Sequence, residues 1–198
     1  MMMHARRRAM AVFVFVLVSS FLTAPSASAD LVDCGAPVSQ SSDKFSIAFW
    51  DFHVRAGGDS TPAEGRRTCL VSAVPVLDLP EGFTYAITAV ELRGFADLAT
   101  GATGSATWEY YFEGSQARRS NDESIRGPHS GGWMSTEQVP LEQLVWKPCG
   151  KDPVLHVKTG LRVGSGTADP SKVNAMDFDS DPSTYGITFR FAWKACPR

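Results

Sequence analysis

The sequence is poor in the groups that most often carry chemistry. It holds four histidines in 198 residues, and one of them, His4, lies in the N-terminal stretch. No Gly-x-Ser-x-Gly turn is present to expose an activated serine. No Cys-x-x-Cys pair occurs, so zinc binding and thioredoxin-like exchange lack their local spacing. Helical periodicity is missing as well: apolar side chains do not recur at 3.6-residue spacing, which limits helix to a turn or two around residues 141–144. Nor is there an apolar run of the roughly 20 residues that a membrane helix needs, residues 9–22 falling short of it.

What the N-terminus does contain is an export pattern. Arg6, Arg7 and Arg8 precede the apolar run, and Pro25 then leads to Ala27-Ser28-Ala29, the small-x-small signature of a cleavage site. Residues 1–29 therefore read as a signal peptide, and 30–198 as a single secreted, extracellular domain. Asp33 before Cys34 is wrong for lipid attachment, and Lys194-Ala195-Cys196-Pro197-Arg198 is no apolar tail, so no membrane anchor is expected after cleavage. Losing the three arginines leaves 16 basic against 21 acidic side chains, a formal charge of −5. That balance argues against nucleic acid and anionic membrane surfaces as partners.

Cys34, Cys69, Cys149 and Cys196 form an even set behind an export signal, which implies two disulfides. Of the three connectivities, sequential pairing is preferred, Cys34 with Cys69 and Cys149 with Cys196.

Period-two alternation dominates the rest. Ile187, Phe189, Phe191 and Trp193 share one face, with Thr188, Arg190 and Lys194 on the other. In residues 154–163, Leu155, Val157, Leu161 and Val163 alternate with His156, Lys158 and Arg162. Strands are also predicted over 69–78, 83–93 and 105–113. A further one over 45–55 changes phase near Phe49 or Trp50, which implies a bulge or burial on both faces. Residues 133–139 and 144–146 are weaker strand candidates. With turn signals such as Gly57-Gly58-Asp59 and Gly164-Ser165-Gly166 between them, these strands predict an all-β antiparallel sandwich, jelly-roll-like, stapled by two disulfides. Residues 115–132 are too polar to pack and read as an exposed loop.

Each candidate site has a plain structural alternative. His53 and His156 fall within strands, and His129-Ser130 are chain neighbours that do not face one another, so a serine relay is not assembled. Glu109, Glu113, Glu91 and Asp97 could supply the two carboxylates of a glycosidase, but spacing alone does not rank such pairs. Asp177, Asp179 and Asp181 alternate as calcium ligands do. Pro182 stands where an EF-hand needs glycine and Thr188 where it needs glutamate, which leaves an irregular calcium site or an acidic loop. Trp108, Tyr110 and Phe112 share a strand face and fit the core better than a sugar platform. Trp133, beside Gly131-Gly132, is the exposed aromatic candidate for ligand binding.

The order of motifs resembles the secreted proteins of the domain of unknown function 4360 family, found in fungi and bacteria. The likeness runs along Arg66-Arg67-Thr68-Cys69, Leu79-Pro80-Glu81-Gly82-Phe83, Arg93-Gly94-Phe95-Ala96-Asp97-Leu98, Trp146-Lys147-Pro148-Cys149-Gly150 and Trp193-Lys194-Ala195-Cys196. It implies a small exported protein and brings no catalytic residue with it. The expected function is therefore a secreted, non-enzymatic binding or cell-envelope-associated module without cofactors, its partner an extracellular protein or polysaccharide. The alternatives are an inhibitor or effector acting through residues 115–132, and a secreted hydrolase.

Overall fold

The computed structural model describes residues 34–40, 43–75, 77, 79–178 and 186–197, with 35–40 as backbone. The signal segment, Asp179 and Asp181 lie outside them. The chain is an antiparallel β-sandwich, as its alternation predicts. The strands are β1 (Gly35–Gln40), β2 (Lys44–Phe49), β3 (His53–Ala56), β4 (Arg66–Ala73), β5 (Phe83–Leu98), β6 (Thr103–Phe112), β7 (Arg119–Arg126), β8 (His129–Gln138), β9 (Leu155–Gly164), β10 (Asn174–Phe178) and β11 (Ile187–Ala195). One short 3-10 turn, Leu141–Gln143, falls where a turn of helix was expected.

The larger sheet, sheet A, is organised by the 16-residue β5. One edge of β5 pairs with β8. Its other edge pairs with β11 in the first half and with β10 in the second. Beyond β11 lie β2 and then β1, and beyond β10 lies β3. Sheet B has the order β4-β9-β6-β7. The long β5 keeps one face inward throughout only because it changes phase once. Arg190 pairs with Ala89 and Phe191 with Ile87, so Thr88 is the extra residue of a bulge. Before it Tyr85 and Ile87 are buried, and after it Val90, Leu92, Ala96 and Leu98.

The inner faces of the two sheets interlock through aromatic rings. Tyr110 of β6 meets Phe189 of β11 edge-on at 6.1 Å, and Phe112 meets Tyr85 at 5.7 Å. At the other end of the sandwich Phe49, Phe52 and Phe178 stack within 4.8–5.4 Å of one another. Each such pair adds about 0.5–1.5 kcal/mol beyond its burial. Trp108, Tyr110 and Phe112 are all core, as expected.

Several sequence expectations are corrected. The strand over 45–55 is two strands: the chain breaks at residues 50–52, where Asp51 takes φ 52°, and both parts stay in sheet A with different partners. The strand over 69–78 begins earlier and stops at Ala73. Trp193 leaves the buried face and packs edge-on against Phe83 at 5.3 Å, half exposed at the end of β11.

The largest correction concerns residues 115–132. After a connection over 115–118 they form β7 and the start of β8, joined through Gly127-Pro128 where the chain crosses from sheet B to sheet A. Their polarity misleads because these strands meet along one rim of the sandwich. Arg119, Asn121 and Glu123 of β7 are half-buried there. Arg119 pairs with Glu137 of β8 at 3.5 Å, and Ser135 donates to Glu123 at 2.8 Å. The segment named for the inhibitor or effector alternative is therefore paired strand rather than loop.

Tyr110 lies beneath this rim. Its hydroxyl is fully buried without a protein partner among the described residues. Burial, moderated by Arg119 and reinforced by Glu137, pushes its pKa up to about 12. Because that hydroxyl contributes no protein hydrogen bond, Tyr110→Phe is expected to change stability by under about 1 kcal/mol, with a gain as readily as a loss. Thermal melting checks this; a loss of about 2 kcal/mol or more would show that the hydroxyl has a strong partner.

Candidate functional site

On the outer face of sheet A, four strands align one residue each into a row. His53 of β3 stands opposite Asp177 of β10, Asp177 opposite Phe95 of β5, and Phe95 opposite Gly132 of β8. Outward positions on β5 are set by the bulge at Thr88, which brings Phe95 to the surface. Its ring is 48% exposed. Gly132 leaves one side of that ring open, since a methyl built there would meet nothing nearer than the Gly94 carbonyl at 3.8 Å. Met134, two residues along β8, extends the apolar shelf.

The groove around this row encloses about 520 Å³ and is lined by Asp51, His53, Phe95, Asp177 and the glycines 94 and 132, with Phe52 and Phe178 beneath. Its polar groups are held in place. His53 Nδ1 lies 3.1 Å from Asp51 Oδ1. Arg67 donates to the Asp51 carbonyl and lies 3.6 Å from its carboxylate. The Arg67 guanidinium also sits 5.7 Å from the centre of the Phe52 ring. Asp177 Oδ1 accepts the Phe95 amide at 3.1 Å. Apolar shelf, carboxylates and imidazole thus share one shallow, rigidly backed surface.

Of the residues singled out from sequence, Trp133 is a correction. It is 7% exposed, on the inner face of β8, with its ring 5.8 Å from Phe178. Strand parity explains this: Gly132 and Met134 face out, so Trp133 faces in. The exposed aromatic that the sequence reading missed is Phe95, which shares its outward parity with Glu91 and Arg93 once the bulge at Thr88 has reset the strand. Asp177 lies in the groove. The other two residues proposed as calcium ligands, Asp179 and Asp181, lie outside the described residues.

The residues considered for catalysis are spread over both outer faces. Glu91 pairs with Arg190 at 2.5 Å on sheet A, and Glu109 with Arg118 at 3.0 Å on sheet B. His129 Nε2 lies 3.2 Å from the Gly131 carbonyl. One contact was not foreseen: Ser72 Oγ lies 2.8 Å from His156 Nδ1, as direct cross-strand partners on the outer face of sheet B. The His156 ring stacks on Tyr111 at 4.8 Å, and the Arg118 guanidinium covers Tyr111 at 4.1 Å. Among the described residues, the two carboxyl groups displaced from their ordinary pKa are held down. Glu64 sits at about 2 through the Thr61 amide and Arg55, and Asp169 is lowered by the Ser171 amide and hydroxyl.

The disulfides join Cys34 to Cys69 and Cys149 to Cys196. The first pair is buried and ties the start of β1 in sheet A to β4 in sheet B. The second closes the 139–154 connection onto the end of β11.

A family model described as Domain of unknown function (DUF4360) matches residues 30–196. This chain belongs to that family. The matched span of the DUF4360 chain takes in all four cysteines and the whole groove. An "Uncharacterized secreted protein" of Arthroderma benhamiae is 23% identical over 150 residues, covering 76% of this chain and 60% of that protein. The DUF4360 chain thus spans about 60% of the length of the curated relative it matches.

Proposed function

We propose that this protein is an exported binding module that holds an extracellular polysaccharide on the outer face of sheet A and catalyses no reaction. The observation that carries this reading is the Phe95 shelf. Burying a phenylalanine side chain fully is worth roughly 1.5–3 kcal/mol, so a half-exposed ring in mid-sheet forgoes part of that stabilisation. A sugar ring, apolar on one face and rimmed by hydroxyls, would cover the ring and meet Asp51, His53 and Asp177 at its edge. Ligand sites of this composition, an apolar floor with a few fixed polar groups, are the common kind. Export is supported by the signal pattern, by two disulfides, and by the secreted relative. The absence of chemistry is supported by carboxylates paired with arginine on opposite faces and by displaced carboxyls held low rather than high.

The test is retention of the mature chain on insoluble chitin, cellulose and β-glucan. Phe95→Ala is expected to weaken binding tenfold or more, about 1.4 kcal/mol, while Phe95→Tyr restores most of it. Phe95 is outside the core, so the alanine variant should melt close to wild type. Failure of the wild type to bind any glycan, or undiminished binding by Phe95→Ala, would remove this reading.

A further inference from the structure

The outer face of sheet B carries charge of the opposite sign to the chain as a whole. Arg66 of β4 stands directly opposite Arg162 of β9. Arg162 stands opposite Ser105 of β6, and Ser105 opposite Ser124 of β7. One level further along, Thr103 pairs with Arg126. A depression of about 480 Å³ is lined by Arg126, Arg162 and the hydroxyls of Thr103, Ser105 and Ser124. Asp122 is the carboxylate among its described lining residues, and it accepts the Ser124 hydroxyl at 3.3 Å. Lys158 lies two residues from Gly160 along the same outward face of β9.

These arginines differ from others in the protein. Arg55, Arg67, Arg118, Arg119 and Arg190 each have a carboxylate within 4 Å: Glu64, Asp51, Glu109, Glu137 and Glu91. Arg66, Arg126 and Arg162 are exposed and have no ion-pair or hydrogen-bonded side-chain partner among the described residues. Like charges directly opposite on neighbouring strands oppose sheet formation. Arg66 and Arg162 in that relation, with Arg126 beside Arg162 in the depression, are stabilised by an anion placed between them. Guanidinium groups favour carboxylate and sulfate oxygens through paired hydrogen bonds.

We infer that this face is a second binding site, for an acidic polysaccharide. The arginines take its carboxylate or sulfate groups, and the serine and threonine hydroxyls take its ring hydroxyls. Four strands at their usual spacing make the face about 14 Å wide, room for a short run of sugars laid across the strands. A nucleic acid fits less well: the depression offers no aromatic side chain for base stacking among its described lining residues, and the mature chain is net acidic at −5. The site lies on the sheet opposite Phe95 and does not depend on the Phe95 reading.

The experiment measures Kd of the mature chain for polygalacturonate, dextran sulfate and a neutral glucan, at low salt and at high salt. Binding to polygalacturonate or dextran sulfate, weakened by salt, is expected, and the stronger of the two identifies the preferred anion. The double variant Arg66→Gln/Arg162→Gln is expected to weaken it tenfold or more and to flatten the salt dependence, while melting at or above the wild-type temperature because a repulsion is removed. Phe95→Ala is expected to leave acidic-polymer binding unchanged, so the two sites fail or stand separately. The proposal is overturned if neither acidic polymer binds at low salt, if the double variant binds as tightly as wild type, or if single-stranded DNA competes as well as polygalacturonate.

Discussion

Gly94→Ala is expected to destabilise the protein by about 3 kcal/mol or more, the upper range for forcing extra volume into a packed site. A methyl at this position would stand 1.9 Å from the Asp177 carbonyl oxygen and 2.7–2.8 Å from two ring atoms of Trp133. Neither neighbour can yield cheaply. The carbonyl belongs to β10, which is held by β5 on one side and β3 on the other. The indole is pinned against Phe178. Accommodating the methyl therefore means pushing β10 off the centre of sheet A, and with it Asp177 out of the Phe95 groove. Gly132→Ala is the control, since Gly132 faces Phe95 across the strand pair but has open space around it. It should lie within about 1 kcal/mol of wild type, with the reduced freedom of the unfolded chain working in its favour. Urea unfolding of the two variants checks the contrast. A Gly94→Ala midpoint close to that of Gly132→Ala would show that β5 and β10 approach less closely than described.

The same contrast shows what was readable from sequence. Strands β6, β9 and β11 could be predicted because each lays most of one face against the core, and Trp108, Tyr110 and Phe112 alternate in β6 with polar residues. β7 could not. Its sequence, Arg-Ser-Asn-Asp-Glu-Ser-Ile-Arg, carries Ile125 as its one apolar side chain, because a strand on the rim meets polar groups of β8 rather than the core. What makes it a strand is pairing with β6 over its full length, a long-range property absent from local pattern. β5 was legible as a strand, but its bulge at Thr88 was not, and that bulge decides whether Phe95 or its neighbours face solvent. The basic site is illegible for a further reason: Arg66 and Arg162 are far apart in the chain, and register alone puts them opposite one another. The disulfide partners were more accessible, since four cysteines leave few ways to pair.

The two disulfides offer a prediction in which two physical accounts give opposite orders. The Cys34–Cys69 and Cys149–Cys196 bridges span sequence separations of 35 and 47 residues. In the chain-entropy account each is worth about 4 kcal/mol, the longer loop slightly more. Burial orders them the other way. Cys34 and Cys69 are each 2% exposed within the core, whereas Cys149 is exposed and Cys196 half-buried. Replacing the first pair by alanine removes the constraint and also buried sulfur contacts, adding roughly 1 kcal/mol for the space left behind. It further frees the start of β1 from sheet B, so the loss reaches both layers. Replacing the second pair frees a surface connection and the strand end it is tied to, which fray without separating the sheets. Cys34→Ala/Cys69→Ala is therefore expected to lose roughly 4–5 kcal/mol and to raise amide exchange in β2 and β4. Cys149→Ala/Cys196→Ala should lose roughly 3–4 kcal/mol, with faster exchange confined to the 139–154 connection and the end of β11. Denaturant unfolding gives the order and hydrogen exchange gives the location. A larger loss from the exposed bridge would assign the stabilisation to loop closure alone and leave the inter-sheet contact no special part in holding the sandwich shut.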